Sequence, residues 1–419
     1  MITPNCLRPA AVRAGFTLTL LCAASALAAQ QPPQSISVET MGCVVQSGRA
    51  RCFGWGPFMA NNSGQTLHDS DVLQPLGGDP GLVSIRTDNI NACGLTAEGA
   101  MYCIGQTDPN TGPFTQETPG LDSCGGVDCS ARLVPVAAGI AFRSFAMHDR
   151  RVCGSTLDGR LACWGRAPGR QNGRRPRMIA GAPPFVEIEG AREGDGETSD
   201  FCGLTAAGRI WCWKLAPAGK LSPVGPAPRP RALSGAWVFT SLSVGSDQVC
   251  GLTADGAMWC WAGAAENPTG SPVRMHESYR FRRMSLGDKF GCGITMEGPT
   301  VCWGDNMVGN LGTGSDGAHL RESAVPLPVA TQALFVDISA GGELVGAITS
   351  DGQAYRWGGC YCSGYGAAPT YVYAPTLLPV DEGPPRGGAT PPQAAPAATP
   401  ATPIPSSPPL GKRKSPPKP

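Results

Sequence analysis

The sequence predicts an all-β protein, a seven-bladed β-propeller with four short strands per blade, closed by its C-terminal strand. Three observations carry that reading. Six cysteine-bracketed hairpins and a degraded seventh run along the 419 residues. Their first cysteines, at 43, 93, 153, 202, 250 and 292, and Gly346 in the seventh copy lie 42 to 60 residues apart. Units of this length made only of strands, without helical periodicity, build propellers rather than solenoids. Finally, Ile36-Ser-Val38 enters the first unit with no Pro-flanked apolar segment ahead of it, while an extra one, Leu377-Leu-Pro-Val380, follows the seventh hairpin. The last strand can therefore complete the first blade and satisfy edges that would otherwise stand open.

Within a unit the parts keep one order. An apolar strand ending near glycine comes first, as in Phe239-Thr-Ser-Leu-Ser-Val-Gly245 and Phe281-Arg-Arg-Met-Ser-Leu-Gly287. The hairpin supplies two more strands, and a long Pro/Gly-rich loop leads to a short apolar segment such as Leu133-Val-Pro-Val136 or Pro326-Leu-Pro-Val329. In the copy from Cys250 to Cys260 a three-residue loop ends on Gly256, where a type I turn with a bulge needs positive φ. Pairing outward from Thr253 and Ala257 sets Leu252 opposite Met258 and Cys250 opposite Cys260. In the first copy the two-residue loop Ser47-Gly48 sets Gln46 opposite Arg49 and Cys43 opposite Cys52, so a different loop length keeps the pairing.

Facing cysteines at this separation suit a disulfide. The expected bridges are Cys43–Cys52, Cys93–Cys103, Cys153–Cys163, Cys202–Cys212, Cys250–Cys260 and Cys292–Cys302. In the seventh copy Gly346 and Arg356 replace both cysteines together. Zinc is the competing ligand, but the pairs lack close C-x-x-C spacing, and His68, His148, His276 and His319 do not recur in register with the hairpins. Four further cysteines, Cys124, Cys129, Cys360 and Cys362, are possible disulfide partners whose three alternative pairings stay open. In the strands, Leu252, Met258 and the cysteines should line one buried face, and Trp259 and Trp261 the other, so the tryptophans read as core rather than a sugar platform.

The ends of the chain indicate export. Arg8 and Arg13, an apolar stretch from Ala14 to Ala29 and the small-residue site Ala26-Leu27-Ala28 read as a signal peptide over 1–29. Its removal takes Cys6 and Cys22 and leaves 16 of the 18 cysteines, an even number for an oxidising compartment. No later stretch is apolar and long enough to span a bilayer. The remaining 31 basic and 32 acidic residues give no electrostatic reason for nucleic-acid binding. The propeller is placed at 30–381, and the tail, 382–419, is Pro/Ala-rich and reads as disordered.

The segment Trp303-Gly-Asp-Asn-Met-Val-Gly-Asn-Leu-Gly312 resembles the signature W-G-x-N-x-x-G-Q-L-G of the RCC1-like (regulator of chromosome condensation) propeller superfamily. Trp357-Gly-Gly-Cys-Tyr-Cys-Ser-Gly-Tyr-Gly366 is a degraded version. The Cys-Gly-Leu-Thr…Cys-Trp form is similar to the disulfide-bearing exported branch, including crinkly-type receptor kinase ectodomains. The resemblance covers about residues 36 to 380 and implies the fold and the use of an exported propeller as a binding surface. It does not carry over nuclear nucleotide exchange, which belongs to another compartment, or kinase activity, whose motifs are absent.

No catalytic, cofactor or metal residue is assigned. Asp158, Asp255 and Asp351 precede the loop glycine, where turn chemistry favours Asp, and Glu98, Ala207 and Glu297 stand there in other copies. The acidic loop Glu193, Asp195, Glu197 and Asp200 and the basic run Arg166, Arg170, Arg174, Arg175 and Arg177 read as solvated. The expected function is an exported, noncatalytic, monomeric module that recognises a protein or peptide partner through loops on one face. Two alternatives stay open: a hydrolase or lyase with an axial active site, which requires charged side chains from several blades to converge, and a soluble paralogue of a receptor-kinase ectodomain.

Overall fold

Cysteine-bracketed hairpins at regular intervals become sheets standing side by side. The computed structural model describes residues 34–46, 48–54, 70–88, 91–107, 113–115, 118, 121–124, 127–148, 151–165, 175–191, 199–215, 229–262, 270–315, 319–360 and 370–381. The expected signal peptide and the 382–419 tail lie outside these residues, and 382–419 separates as a unit of its own. Among the described residues the strands form seven antiparallel sheets from consecutive strands, six of four strands and one, the second, of five. Their inner strands are Ser35–Val38, Leu82–Thr87, Phe142–His148, Phe185–Ala191, Phe239–Val244, Phe281–Leu286 and Phe335–Ala340. Each touches the next, and the seventh touches the first, so the ring is closed. No helix among the described residues is long and apolar enough to cross a membrane.

The hairpin register follows from the turn. Thr253 N–H donates to the Ala257 carbonyl at 3.0 Å and Gly256 N–H to the Thr253 carbonyl at 2.8 Å, with Gly256 at φ +78°. Leu252 then faces Met258 and Cys250 faces Cys260, while in the first blade Gln46 faces Arg49 and Cys43 faces Cys52. All six expected hairpin pairs are joined as disulfides, with Cα atoms 4.0 to 4.2 Å apart.

The repeated Cys-Gly and Cys-Trp dipeptides share one packing cause. Phe239, at the start of the fifth inner strand, lies flat over Gly251, where a Cβ would sit 2.4 Å from its Cδ1. Phe142 covers Gly154 and Phe185 covers Gly203 in the same way, each at 2.5 Å. The ring of each Phe also meets the Trp after the second cysteine, with Phe239 and Trp261 centroids 5.5 Å apart and Phe185 and Trp213 5.3 Å apart. Trp164, Trp213, Trp261, Trp303 and Trp357 are all buried, whereas Trp259 is half-buried against Trp237 at 5.0 Å. The core is thus a series of apolar layers between adjacent blades, five of them holding a Phe–Trp pair whose attraction adds to its buried area.

Closure differs in one respect from the sequence expectation. The seventh blade keeps its own outer strand, Thr370–Leu377, and the first blade's fourth strand is Ser70–Pro75. The segment Val72-Leu-Gln-Pro75 fills that place, so no position is vacant for the C-terminal strand to complete. The end of the chain instead lies alongside: Leu73 and Val380 form a parallel bridge, with Leu73 N–H donating to the Pro379 carbonyl at 2.8 Å and Asp381 N–H to the Leu73 carbonyl at 3.0 Å.

Candidate functional site

The seven inner strands surround an axial channel of about 580 Å³. A β-bulge follows the first residue of six of them, for example between Phe185 and Glu187 and between Phe335 and Asp337. Bulges re-aim the side chains after them. Aligned by their pairing with the hairpin, the strands present two polar layers to the axis. The layer nearer the hairpin turns holds Ser35, Ser84, Ser144, Glu187, Ser241, Arg283 and Asp337. Two residues further on, opposite the first cysteine position, stand Ser37, Arg86, Ala146, Glu189, Ser243, Ser285 and Ser339.

Serine is the common residue because its hydroxyl joins blades. Ser37 Oγ accepts Thr87 N–H at 3.0 Å, Ser243 Oγ accepts Leu286 N–H at 2.9 Å, Ser285 Oγ accepts Ala340 N–H at 2.8 Å, and Ser339 Oγ accepts Val38 N–H at 3.1 Å. An inner strand has no further strand on its axial side, so these bonds satisfy amides that a sheet would otherwise pair.

Where serine is replaced, charge enters the channel. Arg86 pairs with Glu189 across the axis at 3.4 Å, and Arg283 approaches Asp337 at 3.8 Å. Glu187 takes over a serine's role and accepts Leu242 N–H at 3.3 Å. Burial, and then the neighbouring Glu189 carboxylate, push Glu187 up to about 7. Burial also raises Glu189 and Asp337, against the opposing pull of Arg86 and Arg283. Near the far end, burial and then Arg151 hold His148 at about 4, so its imidazole is neutral at neutral pH. Ionisable side chains from four different blades therefore converge on one narrow, partly desolvated space.

None of these five charged residues stands out in the sequence reading, which took the inner strands as apolar runs. The signal is an alignment of those strands, in which Arg86, Glu189 and Glu187 break a serine column. The residues that were singled out lie elsewhere. The six bridges sit within the hairpins, with Cys93 opposite Arg86 and Cys202 opposite Glu189 on the inner strands. Cys129 is disulfide-bonded, while the side chains of Cys124, Cys360 and Cys362 lie outside the described residues. Asp158, Asp255 and Asp351 each accept the hydroxyl of the turn threonine two residues back and do not converge. Arg175 and Arg177 are exposed; Arg166, Arg170, Arg174, Glu193, Asp195 and Glu197 lie outside the described residues, as does the Asp200 side chain. No group of three or more His, Cys, Asp or Glu among the described residues is placed to hold a metal ion.

The hairpin turns and the connectors between blades form one face of the ring, here the turn face. Leu157 N–H donates to the Ala141 carbonyl at 2.9 Å and Met296 N–H to the Arg280 carbonyl at 2.8 Å, which ties each turn to the connector entering its own blade. On this face Leu157, Val186, Val238, Met296 and Leu334 are 42 to 62% exposed. Val186 also lines a second cavity, of about 370 Å³, that shares Ser84, Arg86, Glu187, Ser241 and Arg283 with the channel and is lined by Arg143 as well.

The fold is similar to that of solved structures. Prp20p of Saccharomyces cerevisiae, whose structure is described with its binding to Gsp1p and histones, aligns over 73% of this chain and 80% of its own at 14% identity and a TM-score of 0.57. Human WBSCR16 aligns over 75% of this chain and 85% of its own at 15% identity and a TM-score of 0.55. The CRINKLY ectodomain of the Arabidopsis thaliana receptor kinase ACR4 covers 83% of this chain and 98% of its own at 16% identity, with a TM-score of 0.45. No family model matches the sequence, and no curated protein matches it. Strand order and blade count define a seven-bladed propeller, similar in fold to Prp20p and WBSCR16, here with a disulfide in six blades.

Proposed function

We propose that the chain is an exported, noncatalytic binding module that takes a protein or peptide partner on the turn face. The observation that carries the reading is the set of five exposed apolar side chains on that face, Leu157, Val186, Val238, Met296 and Leu334. Large apolar side chains gathered on one surface favour partner association over solvation. Six bridges support an oxidising compartment. The binding of Prp20p to Gsp1p and histones supports the use of a propeller of this shape as a docking surface.

Affinity capture from exported proteins of the native source, with the oxidised chain and with a Leu157→Asp/Met296→Asp variant as baits, tests the reading. A partner held by the first and lost by the second is expected. Equal recovery on both baits counts against the turn face. A second reading, a hydrolase or lyase acting in the channel, draws on the convergence of Arg86, Glu187, Glu189, Arg283 and Asp337. It requires turnover on a panel of glycans and esters that Glu187→Gln abolishes.

A further inference from the structure

Positive charge gathers in the second cavity. Its ionisable lining residues are three guanidinium groups, Arg86, Arg143 and Arg283, and one carboxylate, Glu187. Arg86 is already engaged, donating to the Glu189 carboxylate at 3.4 Å and to the Ile85 carbonyl at 3.1 Å. Arg283 is held more loosely: its Nε stands 3.8 Å from Asp337, beyond hydrogen-bonding distance, and its side chain is 54% exposed. Arg143 is exposed and, among the described residues, has neither a hydrogen-bond acceptor nor an ion-pair partner. Arg143, Val186 and Thr240 occupy one equivalent place on three consecutive inner strands, the bulged residue after the opening Phe. All three are exposed, so the cavity is reached from the turn face. Arg86 and Arg283 both pull Glu187 down, yet burial outweighs them and lifts it to about 7. The one carboxylate in the cavity is thus half protonated near neutral pH, and the guanidinium charge stays in excess.

Resting on the binding-module reading and narrowing it, we infer that the partner seats an aspartate or glutamate side chain in this cavity, where Arg143 and Arg283 receive its carboxylate. A planar guanidinium donates two parallel N–H groups to both oxygens of a carboxylate, the pairing a lysine-lined site would lack. The hydroxyls of Ser84 and Ser241 line the same space and add O–H donors. A partner offering a basic side chain would meet three guanidinium groups and be turned away. Protonation of Glu187 removes the one opposing charge in the cavity. Burial raises Glu189, on the same strand, and Asp337, on the seventh inner strand, and their protonation releases Arg86 and Arg283. A carboxylate on the partner, ordinarily titrating at about 4, stays ionised meanwhile. Binding therefore tightens as the pH falls from about 8 to about 6.

Selection of a random library of cyclic peptides on the oxidised full-length chain at about pH 6 provides the test. The selected peptides are expected to share an aspartate or glutamate. Replacing that residue by its amide, asparagine or glutamine, in a synthetic peptide should weaken binding about tenfold with the protein untouched. Arg143→Met and Arg283→Met should each weaken the parent peptide about threefold and leave the amide peptide unchanged. Arg143 has no partner to lose, so its variant keeps the fold. Raising the solution to about pH 8 should weaken the parent alone, and Glu187→Gln should recover part of that loss. Selected peptides without a common acidic residue, or a parent indifferent to both arginine substitutions, overturn the inference. If such peptides are nonetheless lost on Leu157→Asp/Met296→Asp, the turn-face reading stands without it; if they bind that variant equally well, the turn-face reading falls too.

Discussion

Six blades carry a covalent rung between their hairpin strands, and the seventh, which meets the beginning of the chain, carries none. In the fifth blade Cys250 and Cys260 lie opposite one another with Cα atoms 4.1 Å apart. In the seventh the same places hold Gly346 and Arg356. A Cβ on Gly346 would come within 2.6 Å of Val38 Cγ1 and 2.8 Å of Ile36 Cδ1, both on the first blade's inner strand. Arg356 is 3% exposed and donates through Nη2 to Asp71 on the first blade's outer strand at 2.6 Å. Gln34 reaches the Ser350 carbonyl at 2.9 Å, and Gln46 bonds the Gly352 carbonyl. Both places serve the contact between blades seven and one. A disulfide fixes register within a sheet; the seam needs bonds between sheets.

The largest expected effect comes from breaking a rung where it exists. Cys250→Ala/Cys260→Ala should lower the unfolding free energy by about 2–3 kcal/mol, as read from denaturant melts, since a short closed loop is released. Installing the missing rung should act in the opposite direction from a normal bridge. Gly346→Cys/Arg356→Cys should destabilise by about 1–3 kcal/mol, because the new Cβ crowds Ile36 and Val38 and the seam loses Arg356. A gain in melting temperature on oxidation of that variant would show that the seam tolerates what the geometry forbids. Asp71→Asn leaves the Arg356 charge buried with a weaker partner, and with Asp71 itself half exposed the loss should be about 1 kcal/mol.

A pH-dependent effect separates the channel from the seam. Glu187 is raised from 4.5 to about 7 in the fold. Between these values the folded chain keeps a proton that the unfolded chain has released, so Glu187 makes stability fall as pH rises through that interval, with no further change above it. Glu189 and Asp337 are raised too and act with the same sign. His148, lowered from 6.5 to about 4, acts with the opposite sign over its own interval. The difference between wild-type and Glu187→Gln melts isolates the first contribution, and a difference curve that rises or stays flat between about pH 4.5 and 7 would contradict it. Asp71→Asn should leave that curve unchanged.

The hairpins, the blade count and the buried tryptophans were legible because each depends on local chemistry repeated along the chain. A turn needs glycine at a fixed place, and a strand pair fixes which residues face. The reason for the glycine after five of the six first cysteines was not legible, since it comes from an inner-strand residue such as Phe239, which contacts Gly251 only after the inner strand folds back. Ser70–Pro75 escaped notice because it has only two apolar residues before its proline. The channel charges escaped because alternation on an innermost strand has a different meaning. One set of side chains enters the layer against a neighbouring blade, as Ile188 and Leu242 do, and the other reaches the axis. Reading Phe185-Val-Glu-Ile-Glu as a core strand with stray acids misses that Glu187 and Glu189 stand in the serine positions of other blades.

Every described sheet is assembled from neighbouring stretches of chain, and residues 379–381 merely lean on Leu73. No blade borrows a strand from across the seam. Loss or duplication of one whole repeat would therefore change the circumference without orphaning a strand, provided the repeats on either side still offer a hydroxyl to the next amide. A propeller of this construction can grow or shrink by copying a unit, with Gly346 and Arg356 marking the unit that meets the first blade.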